Sequence, residues 1–317
     1  MTHPDEQQPW QSSSPDAARP VQPGADPELE QPHEIVWPAA PLLPLVISSP
    51  HSGNIYPRRF LQASRLDPMT LRRTEDAHVD ALLAPAAALG VPMLRARFPR
   101  AYLDVNREPY ELDPRMFEGR LPSWVNSRSM RVAGGLGTIA RVVGDSQEIY
   151  ARKLQVDEGL GRIEALYRPY HAALRGLLES ALEQFGQALL IDCHSMPSSS
   201  IPAELHQAGR SVDMVLGDRY GTSAGLGIVD RMEQRLRELG YSVRRNKPYA
   251  GGFITEYYGN PSSNCHAVQI EVNRAIYMNE KTLERLPGFG QLASDLARVI
   301  EEIAGAMGGG AQRLAAE

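Results

Sequence analysis

The chain has 317 residues, of which 42% are hydrophobic and 22% charged, an ordinary globular composition that suffices for one large α/β domain. Its formal net charge of -5 gives no electrostatic reason to expect nucleic acid or a membrane surface as a partner, and its two cysteines exclude a disulfide-built secreted scaffold. Because the sequence also shows neither a signal-peptide pattern nor an apolar run long enough to span a bilayer, we expect a cytoplasmic location.

The two ends of the chain are predicted to lie outside the folded domain. Residues 1–43 hold nine of the 25 prolines, interspersed with polar and acidic residues, a composition that buries too little apolar surface to offset its ordering entropy. We therefore expect a disordered leader over residues 1–43, a single folded domain over residues 44–307, and a flexible tail over residues 308–317, which opens with three glycines.

Between these ends, apolar runs typical of buried strands alternate with longer helical patterns. In chain order, the predicted strands cover residues 45–49, 91–98, 101–105, 188–191, 212–216, 241–245 and 267–272. The predicted helices cover residues 67–89, most of 147–185, 223–239 and 280–307. This alternation predicts an α/β fold with a mostly parallel sheet covered on both faces, whose ligands bind beyond the carboxyl ends of the strands.

Two histidines directly follow buried strands, at the edge where such a sheet binds its ligands. They are His51, in the segment PHSG, and His194, in the segment DCHS. Two imidazoles delivered to one edge form half of a zinc site, because catalytic zinc takes three protein ligands and a water molecule. Each histidine is equally well explained as a hydrogen-bonding residue at a strand end, so the two interpretations stay open.

A third ligand is expected among four titratable residues of the segment TEDAHVD. If the segment is helical, Asp76 and Asp80 share one face, and Glu75 and His78 lie three residues apart on another. Acidic residues are also common in the solvated first turn of a helix. Spacing alone does not choose among the four.

Glu271 lies inside the apolar strand VQIEV, where an unused carboxylate is costly to bury. A catalytic base beside a metal site would explain its position, and so would a buried ion pair with Arg274. The sequence leaves these two explanations open.

Residues that could bind a substrate carboxylate or stabilise an oxyanion follow the predicted strand 101–105. Asn106 and Arg107 come directly after it, and a guanidinium offers the two parallel donors that suit a carboxylate. Arg141 ends the glycine-rich segment GGLGTIAR, which lacks the ending and spacing of a phosphate-binding loop. A solvated surface arginine is the alternative for each.

The segment GTSAG, residues 221–225, matches the nucleophile elbow of serine hydrolases and raises a competing function. With 27 glycines in the chain a chance match is unsurprising, and His266 is the only histidine downstream. We therefore expect Ser223 to cap the helix that follows rather than to act as a nucleophile.

Seven segments together resemble the N-formylglutamate amidohydrolase family. In order, they are residues 49–53 (SPHSG), 76–80 (DAHVD), 104–107 (DVNR), 192–196 (DCHSM), 217–223 (GDRYGTS), 251–255 (GGFIT) and 269–274 (QIEVNR). The resemblance implies a three-layer α/β/α sandwich like that of zinc carboxypeptidases. It also implies a metal-dependent amidohydrolase that removes formate from an N-formyl amino acid, most characteristically glutamate.

The resemblance also implies roles for individual residues. His51, Asp76 and His194 correspond to ligands of one zinc ion, and Glu271 to the general base that activates water. Asn106 and Arg107 correspond to the residues that hold the substrate carboxylate. Independently of the resemblance, we expect zinc together with a cation, for which Arg141 is a candidate, to stabilise the oxyanion.

The chain departs from the family pattern at two positions. Ala77 stands where many members carry Trp, and Glu256 where many carry a basic residue. If that basic residue binds the side-chain carboxylate of glutamate in those members, the resemblance does not specify which N-acyl amino acid this chain hydrolyses. A zinc carboxypeptidase or another N-acyl-amino-acid amidohydrolase therefore remains an alternative.

Overall fold

The structure is a computed structural model that describes residues 26–40, 42–205 and 211–314. Its strands, in chain order, are β1 (His33–Val36), β2 (Leu45–Ser49), β3 (Met93–Ala96), β4 (Phe117–Glu118), β5 (Val142–Val143), β6 (Gln147–Glu148), β7 (Leu154–Gln155), β8 (Ala188–Met196), β9 (Met214–Gly217), β10 (Val243–Arg245) and β11 (Cys265–Asn273).

Its α-helices, in chain order, are α1 (Arg58–Ala63), α2 (Pro68–Arg72), α3 (Val79–Ala88), α4 (Met130–Ala133), α5 (Val156–Arg162), α6 (Arg168–Phe185), α7 (Leu226–Glu238), α8 (Phe253–Tyr258) and α9 (Phe289–Leu314). A π-helical turn, Ile163–Tyr167, joins α5 to α6. None of the helices in the described part of the chain is both long enough and apolar enough to cross a membrane.

Within the described ranges, the main sheet has seven strands in the order β1-β3-β2-β8-β11-β9-β10. The four pairs β3–β2, β2–β8, β8–β11 and β9–β10 are parallel, whereas β1–β3 and β11–β9 are antiparallel. The expected α/β fold with a mostly parallel sheet is therefore confirmed.

Apolar side chains alternate along the central strands and build a separate core on each face of the sheet. In β8, Leu189 and Ile191 pack with residues of α3, α7 and α9, whereas Ala188 and Leu190 pack with residues of α6 and α8. A strand buried on both faces has this period of two. The sheet is thus the middle of three layers.

Several predicted elements differ from the structure because contacts distant in sequence override local pattern. The helix expected over residues 67–89 is divided into α2 and α3, and His78 between them has a left-handed backbone with φ 65°. Residues 101–105 form a turn instead of a strand, because backbone N–H groups within this segment donate to the carbonyls of Pro99 and Thr138. Residues 147–155 belong to β6, β7 and the loop between them.

The predicted domain boundaries at residues 43 and 307 both need correction. Strand β1 lies inside the expected leader and pairs with β3 along the register His33↔Ala96 to Val36↔Met93. A four-residue edge strand is stabilised by its neighbour, a contact that composition does not reveal. The backbone of α9 continues to Leu314, and residues 1–25 lie outside the described part of the chain.

Candidate metal and hydrolase site

The carboxyl end of β8 changes from apolar to polar on the sheet face that packs against α6 and α8. Ala188 and Leu190 face that core, and the next side chains on the same face are Asp192 and His194. In the parallel neighbour β11, Glu271 lies in register with His194. The two strands therefore deliver an imidazole and a carboxylate side by side.

His51 occupies the loop that follows β2, one strand further along the sheet. The loop runs so close to the chain after β3 that a Cβ on Gly53 would lie 2.2 Å from the carbonyl oxygen of Phe98. Only glycine permits this approach. The tight passage holds His51 buried at the carboxyl end of the sheet.

Asp76 reaches the same point from the break between α2 and α3. Its backbone N–H donates to the carbonyl of His51 at 3.0 Å. The hydroxyl of Ser52 donates to the carbonyl of Asp76 at 3.1 Å and accepts from the N–H of Asp80, also at 3.1 Å. These bonds explain why the predicted helix is interrupted at a candidate ligand.

Three electron-pair donors of these residues converge on one buried point. Nδ1 of His51 lies 3.2 Å from Oδ2 of Asp76, Nδ1 of His194 lies 3.1 Å from that same oxygen, and the two Nδ1 atoms are 3.1 Å apart. Donors at three corners of a zinc tetrahedron lie about 3.4 Å from one another. The donor set of two imidazoles and one carboxylate thus fits a single divalent ion.

Each histidine uses its other nitrogen to hold a second carboxylate. Nε2 of His51 donates to Oδ1 of Asp104 at 2.7 Å, and Nε2 of His194 donates to Oδ2 of Asp192 at 2.9 Å. With Nε2 protonated, both Nδ1 atoms keep their lone pairs toward the shared point. This is the arrangement in which carboxylates orient histidine ligands of a metal.

The electrostatics of the cluster favour positive charge at its centre. Burial alone would raise the pKa of the Asp76 carboxyl, but the imidazoles of His194 and His51 outweigh burial and hold that pKa well below its ordinary value. Burial alone would lower the pKa of His194, but Asp192 and Asp76 raise it well above its ordinary value. A bound cation would satisfy the same carboxylates.

Glu271 lies at the edge of this cluster and is not paired with Arg274. Its Oε1 accepts a hydrogen bond from Nε2 of Gln269 at 2.8 Å, whereas Arg274 donates to Oδ1 of Asp76 and to the hydroxyl of Ser195, both at 3.0 Å. Burial raises the pKa of Glu271 to about 7; the charge of His194 opposes this shift and that of Asp76 adds to it. A carboxyl with such a pKa can accept and return a proton near neutral pH.

Asn106 and Arg107 both line the cavity in front of the cluster, but their side chains differ in how they are hydrogen-bonded. The Oδ1 of Asn106 accepts from the N–H of Ile254 at 2.8 Å, and its Nδ2 lies 3.1 Å from Nε2 of His194. Arg107 donates from Nε to the carbonyl of Leu136 at 3.0 Å and from Nη1 to the carbonyl of Asn106 at 2.9 Å, and its Nη2 forms a longer ion pair of 3.7 Å with Oδ2 of Asp104.

The structure does not bring Arg141 to this cavity. Its guanidinium donates to Asp113 at 2.9 Å and to Glu148 at 3.2 Å, and Arg141 is not among the residues that line the cavity. Arg100 lies nearer the cluster: it donates to Oδ2 of Asp104 at 2.9 Å, and its Nη1 is 4.0 Å from Oδ1 of Asp76.

The serine-hydrolase alternative loses its geometric basis. The hydroxyl of Ser223 donates to the carbonyl of Ala267 at 2.8 Å and makes no hydrogen bond with a histidine in the described residues. The prediction that Ser223 caps the following helix is also wrong, because the N-cap residue of α7 is Gly225, two residues after Ser223. Ser223 instead ties the segment before α7 to β11.

The cavity has a volume of about 600 Å³ and is lined by His51, His194 and Glu271 together with four arginines, Arg73, Arg100, Arg107 and Arg274. Asp104 and Glu271 are the carboxylates among its described lining residues. The surplus of positive charge suits an anionic small molecule. Glu256, the family departure, lies elsewhere and forms an ion pair with Arg219 at 2.9 Å.

The sequence did not single out the residues that orient the candidate ligands. Asp192 had a usable signal, since it lies two residues before His194 in a strand and therefore on the same face. Asp104 lies in the same short segment as Asn106 and Arg107 but carried no separate signal. Arg100 follows a proline in a turn, and nothing in its local pattern distinguishes it from a surface arginine.

The chain is similar in sequence to proteins of one family. The family model described as N-formylglutamate amidohydrolase matches residues 43–278. An N-formylglutamate deformylase of Pseudomonas putida is 30% identical over 245 residues, which cover 75% of this chain and 83% of that protein. The N-formylglutamate deformylase of Pseudomonas aeruginosa is 28% identical, with 75% and 84% covered.

A solved structure is similar over most of the fold. The crystal structure of N-formylglutamate amidohydrolase from Ralstonia eutropha superposes with a TM-score of 0.81 at 40% identity, covering 87% of this chain and 98% of that one. A protein from Agrobacterium tumefaciens, 18% identical with a TM-score of 0.59, shares the fold and covers 87% of this chain and 94% of that one.

Proposed function

Because this chain belongs to the N-formylglutamate amidohydrolase family, we propose that it hydrolyses N-formyl-L-glutamate, or a closely similar N-acyl amino acid, to formate or the corresponding acid and the free amino acid. The observation that carries this proposal is the convergence of His51, Asp76 and His194 beside Glu271, in a cavity rich in arginine.

His51, Asp76 and His194 would hold one zinc ion through Nδ1, Oδ2 and Nδ1. When bound, the ion supplies Lewis-acid activation of a water molecule and of the amide carbonyl. The three residues hold their donor atoms within 3.2 Å of one another, so little rearrangement is needed for binding.

Glu271 is the proposed general base and then the general acid. Its carboxylate accepts a proton from the attacking water as the C–O bond forms, and it returns that proton to the amide nitrogen as the C–N bond breaks. The nitrogen then leaves as a neutral amine. The hydrogen bond from Gln269 holds Oε1 in place and leaves Oε2 for this transfer.

Two arginines complete the proposed site. Arg107 would bind the α-carboxylate of the substrate through Nη2, which lies 3.7 Å from Oδ2 of Asp104, beyond hydrogen-bond distance, and so align the scissile amide. Arg100, held by Asp104, is a better candidate than Arg141 for stabilising the developing oxyanion, because it lines the cavity next to the metal ligands.

The first test is the activity and metal content of the purified protein. We expect about one zinc per chain, formate release from N-formyl-L-glutamate, loss of that release on treatment with a chelator, and recovery with added zinc. Full activity after complete removal of metal would contradict the metal-dependent proposal.

The roles of Glu271 and His194 can be separated by substitution. Glu271→Gln should lower kcat by about 10²- to 10⁴-fold and leave zinc content near one per chain, since it removes only the proton acceptor. His194→Ala should lose zinc and activity together. Loss of zinc from Glu271→Gln would show that Glu271 is a ligand instead of the base.

A further inference from the structure

The cavity holds more cations than one substrate carboxylate requires, and most of them are already engaged. Arg274 is buried and bonded to Asp76 and Ser195, both at 3.0 Å. Arg100 is bonded to Asp104 at 2.9 Å. These two guanidinium groups balance the carboxylates around the metal ligands, so neither is free to select an additional acidic group on the substrate.

Arg107 has donors left for one carboxylate only. Its Nε and Nη1 each donate to a backbone carbonyl, of Leu136 and Asn106, and these bonds fix the plane of the guanidinium. The donors that remain are chiefly on Nη2, which lies 3.7 Å from Oδ2 of Asp104, beyond hydrogen-bond distance. They suffice for the α-carboxylate common to all N-acyl amino acids. A second carboxylate, on a glutamate or aspartate side chain, needs a different cation.

Arg73 is the fourth cavity arginine, and it is the one of the four that forms no ion pair with a described residue. Its side chain is exposed at the end of α2, and no other described residue forms an ion pair or a side-chain hydrogen bond with it. Its backbone is nevertheless anchored, because Nη1 of Arg274 donates to the carbonyl of Arg73 at 2.9 Å. The same Arg274 holds Asp76, so the position of Arg73 is tied to the metal ligands.

We propose that Arg73 binds the side-chain carboxylate of the substrate and thereby selects acidic N-acyl amino acids over neutral ones. This inference rests on the proposed function and adds the residue that determines specificity. Many members of the family carry a basic residue at position 256, but Glu256 lies outside the cavity and is paired with Arg219. We therefore assign the selection of acidic substrates to Arg73 instead of position 256.

The test compares two substrates that differ only in charge, N-formyl-L-glutamate and N-formyl-L-glutamine, in the zinc-loaded full-length enzyme. Arg73→Gln should lower kcat/KM for the glutamate substrate by about tenfold, mainly through KM, because it removes charge-assisted hydrogen bonds to a distal group. It should leave kcat/KM for the glutamine substrate within about twofold. Arg73→Lys should recover part of the loss, since a lysine keeps the charge without the paired donors.

Arg128→Gln is the matched control, because Arg128 is also exposed, forms no ion pair with a described residue and does not line the cavity. Arg128→Gln should change kcat/KM for neither substrate. Equal losses for both substrates in Arg73→Gln, or no loss for either, would overturn the assignment of Arg73. A zinc-loaded wild-type enzyme that hydrolyses neither substrate would instead overturn the proposed function on which the assignment rests.

Discussion

Asp192 is a buried carboxylate with a partner on each oxygen. Oδ2 accepts from Nε2 of His194, and Oδ1 accepts from the hydroxyl of Ser48 at 2.9 Å, which in turn lies 3.0 Å from the hydroxyl of Tyr170. A chain of bonds therefore runs from the candidate metal site into the layer that contains α6. At the scale of single residues, the orientation of His194 depends on Asp192 as much as on its own strand.

The prediction at this scale concerns metal affinity. Asp192→Asn keeps the shape of the side chain but removes the negative charge that orients and polarises His194, so the affinity for zinc should fall by about 10- to 100-fold. Competition with a chromogenic chelator measures this directly. Ser48→Ala should weaken zinc binding less, because it removes only the more distant contact.

A chelator titration of Asp192→Asn that overlays the wild-type curve would show that the carboxylate does not act on the ligand. Thermal unfolding of the metal-free variants serves as the check that the fold is retained.

At the scale of elements, the hairpin β5–β6 forms one wall of the cavity through residues such as Val142, Val143 and Gln147. Arg141, directly before β5, donates to Asp113 at 2.9 Å and to Glu148 of β6 at 3.2 Å. The guanidinium of Arg141, which was predicted to stabilise an oxyanion, instead links this hairpin to the segment around Asp113. Its effect on the reaction is therefore expected to act through the shape of the wall.

The kinetics of Arg141→Ala distinguish these two roles. A residue that positions the wall should raise KM several-fold and leave kcat within about threefold, whereas loss of an oxyanion donor lowers kcat by about 10²- to 10³-fold. Arg115→Ala is the control, because Arg115 also binds Asp113, at 2.7 Å, but has no bond to Glu148. A collapse of kcat in Arg141→Ala with an unchanged KM would restore the original assignment.

At the scale of the whole molecule, His171 joins the helical layer to the loops that carry the site. It is buried in α6, where its Nε2 donates to the carbonyl of Val105, just before Asn106, and its Nδ1 lies 2.9 Å from the hydroxyl of Tyr258 in α8. Burial lowers the pKa of His171 from 6.5 to about 4. The folded protein therefore keeps this imidazole neutral where the unfolded chain would protonate it.

The sign of the resulting pH dependence follows from proton binding. Between pH 6.5 and 4 the unfolded state binds more protons than the folded state, so the contribution of His171 to stability is complete above pH 6.5 and is lost as the pH falls toward 4. The free energy of unfolding should be about 2 kcal/mol lower at pH 5 than at pH 7 from this residue.

Urea unfolding of metal-free protein at the two pH values measures this difference. His171→Gln has no titrating ring, so its stability should change less between pH 7 and pH 5 than that of the wild type. Identical pH dependence in the two proteins would show that His171 does not titrate in this range.

The site residues differ in how far local pattern could identify them. His51, His194 and Glu271 stand out because they are polar residues at the ends of, or inside, apolar strands, and strand periodicity puts them on a definite face. Asp76 does not stand out, because its position depends on the backbone bond to His51, and the resemblance to a family chose it where spacing did not. Arg141 and Arg100 are indistinguishable as local patterns, and only their partners separate them.

By itself, the sequence determined the alternation of strands and helices, the layered α/β fold and the polar carboxyl edge of the sheet. These depend on side-chain periodicity, which is a property of neighbouring residues. The tertiary structure decided which donors meet where local pattern could not, because His51 contacts residues 25 and 143 positions away, and such contacts leave no local trace. It also decided which arginines are paired and which, like Arg73, form no ion pair with a described residue.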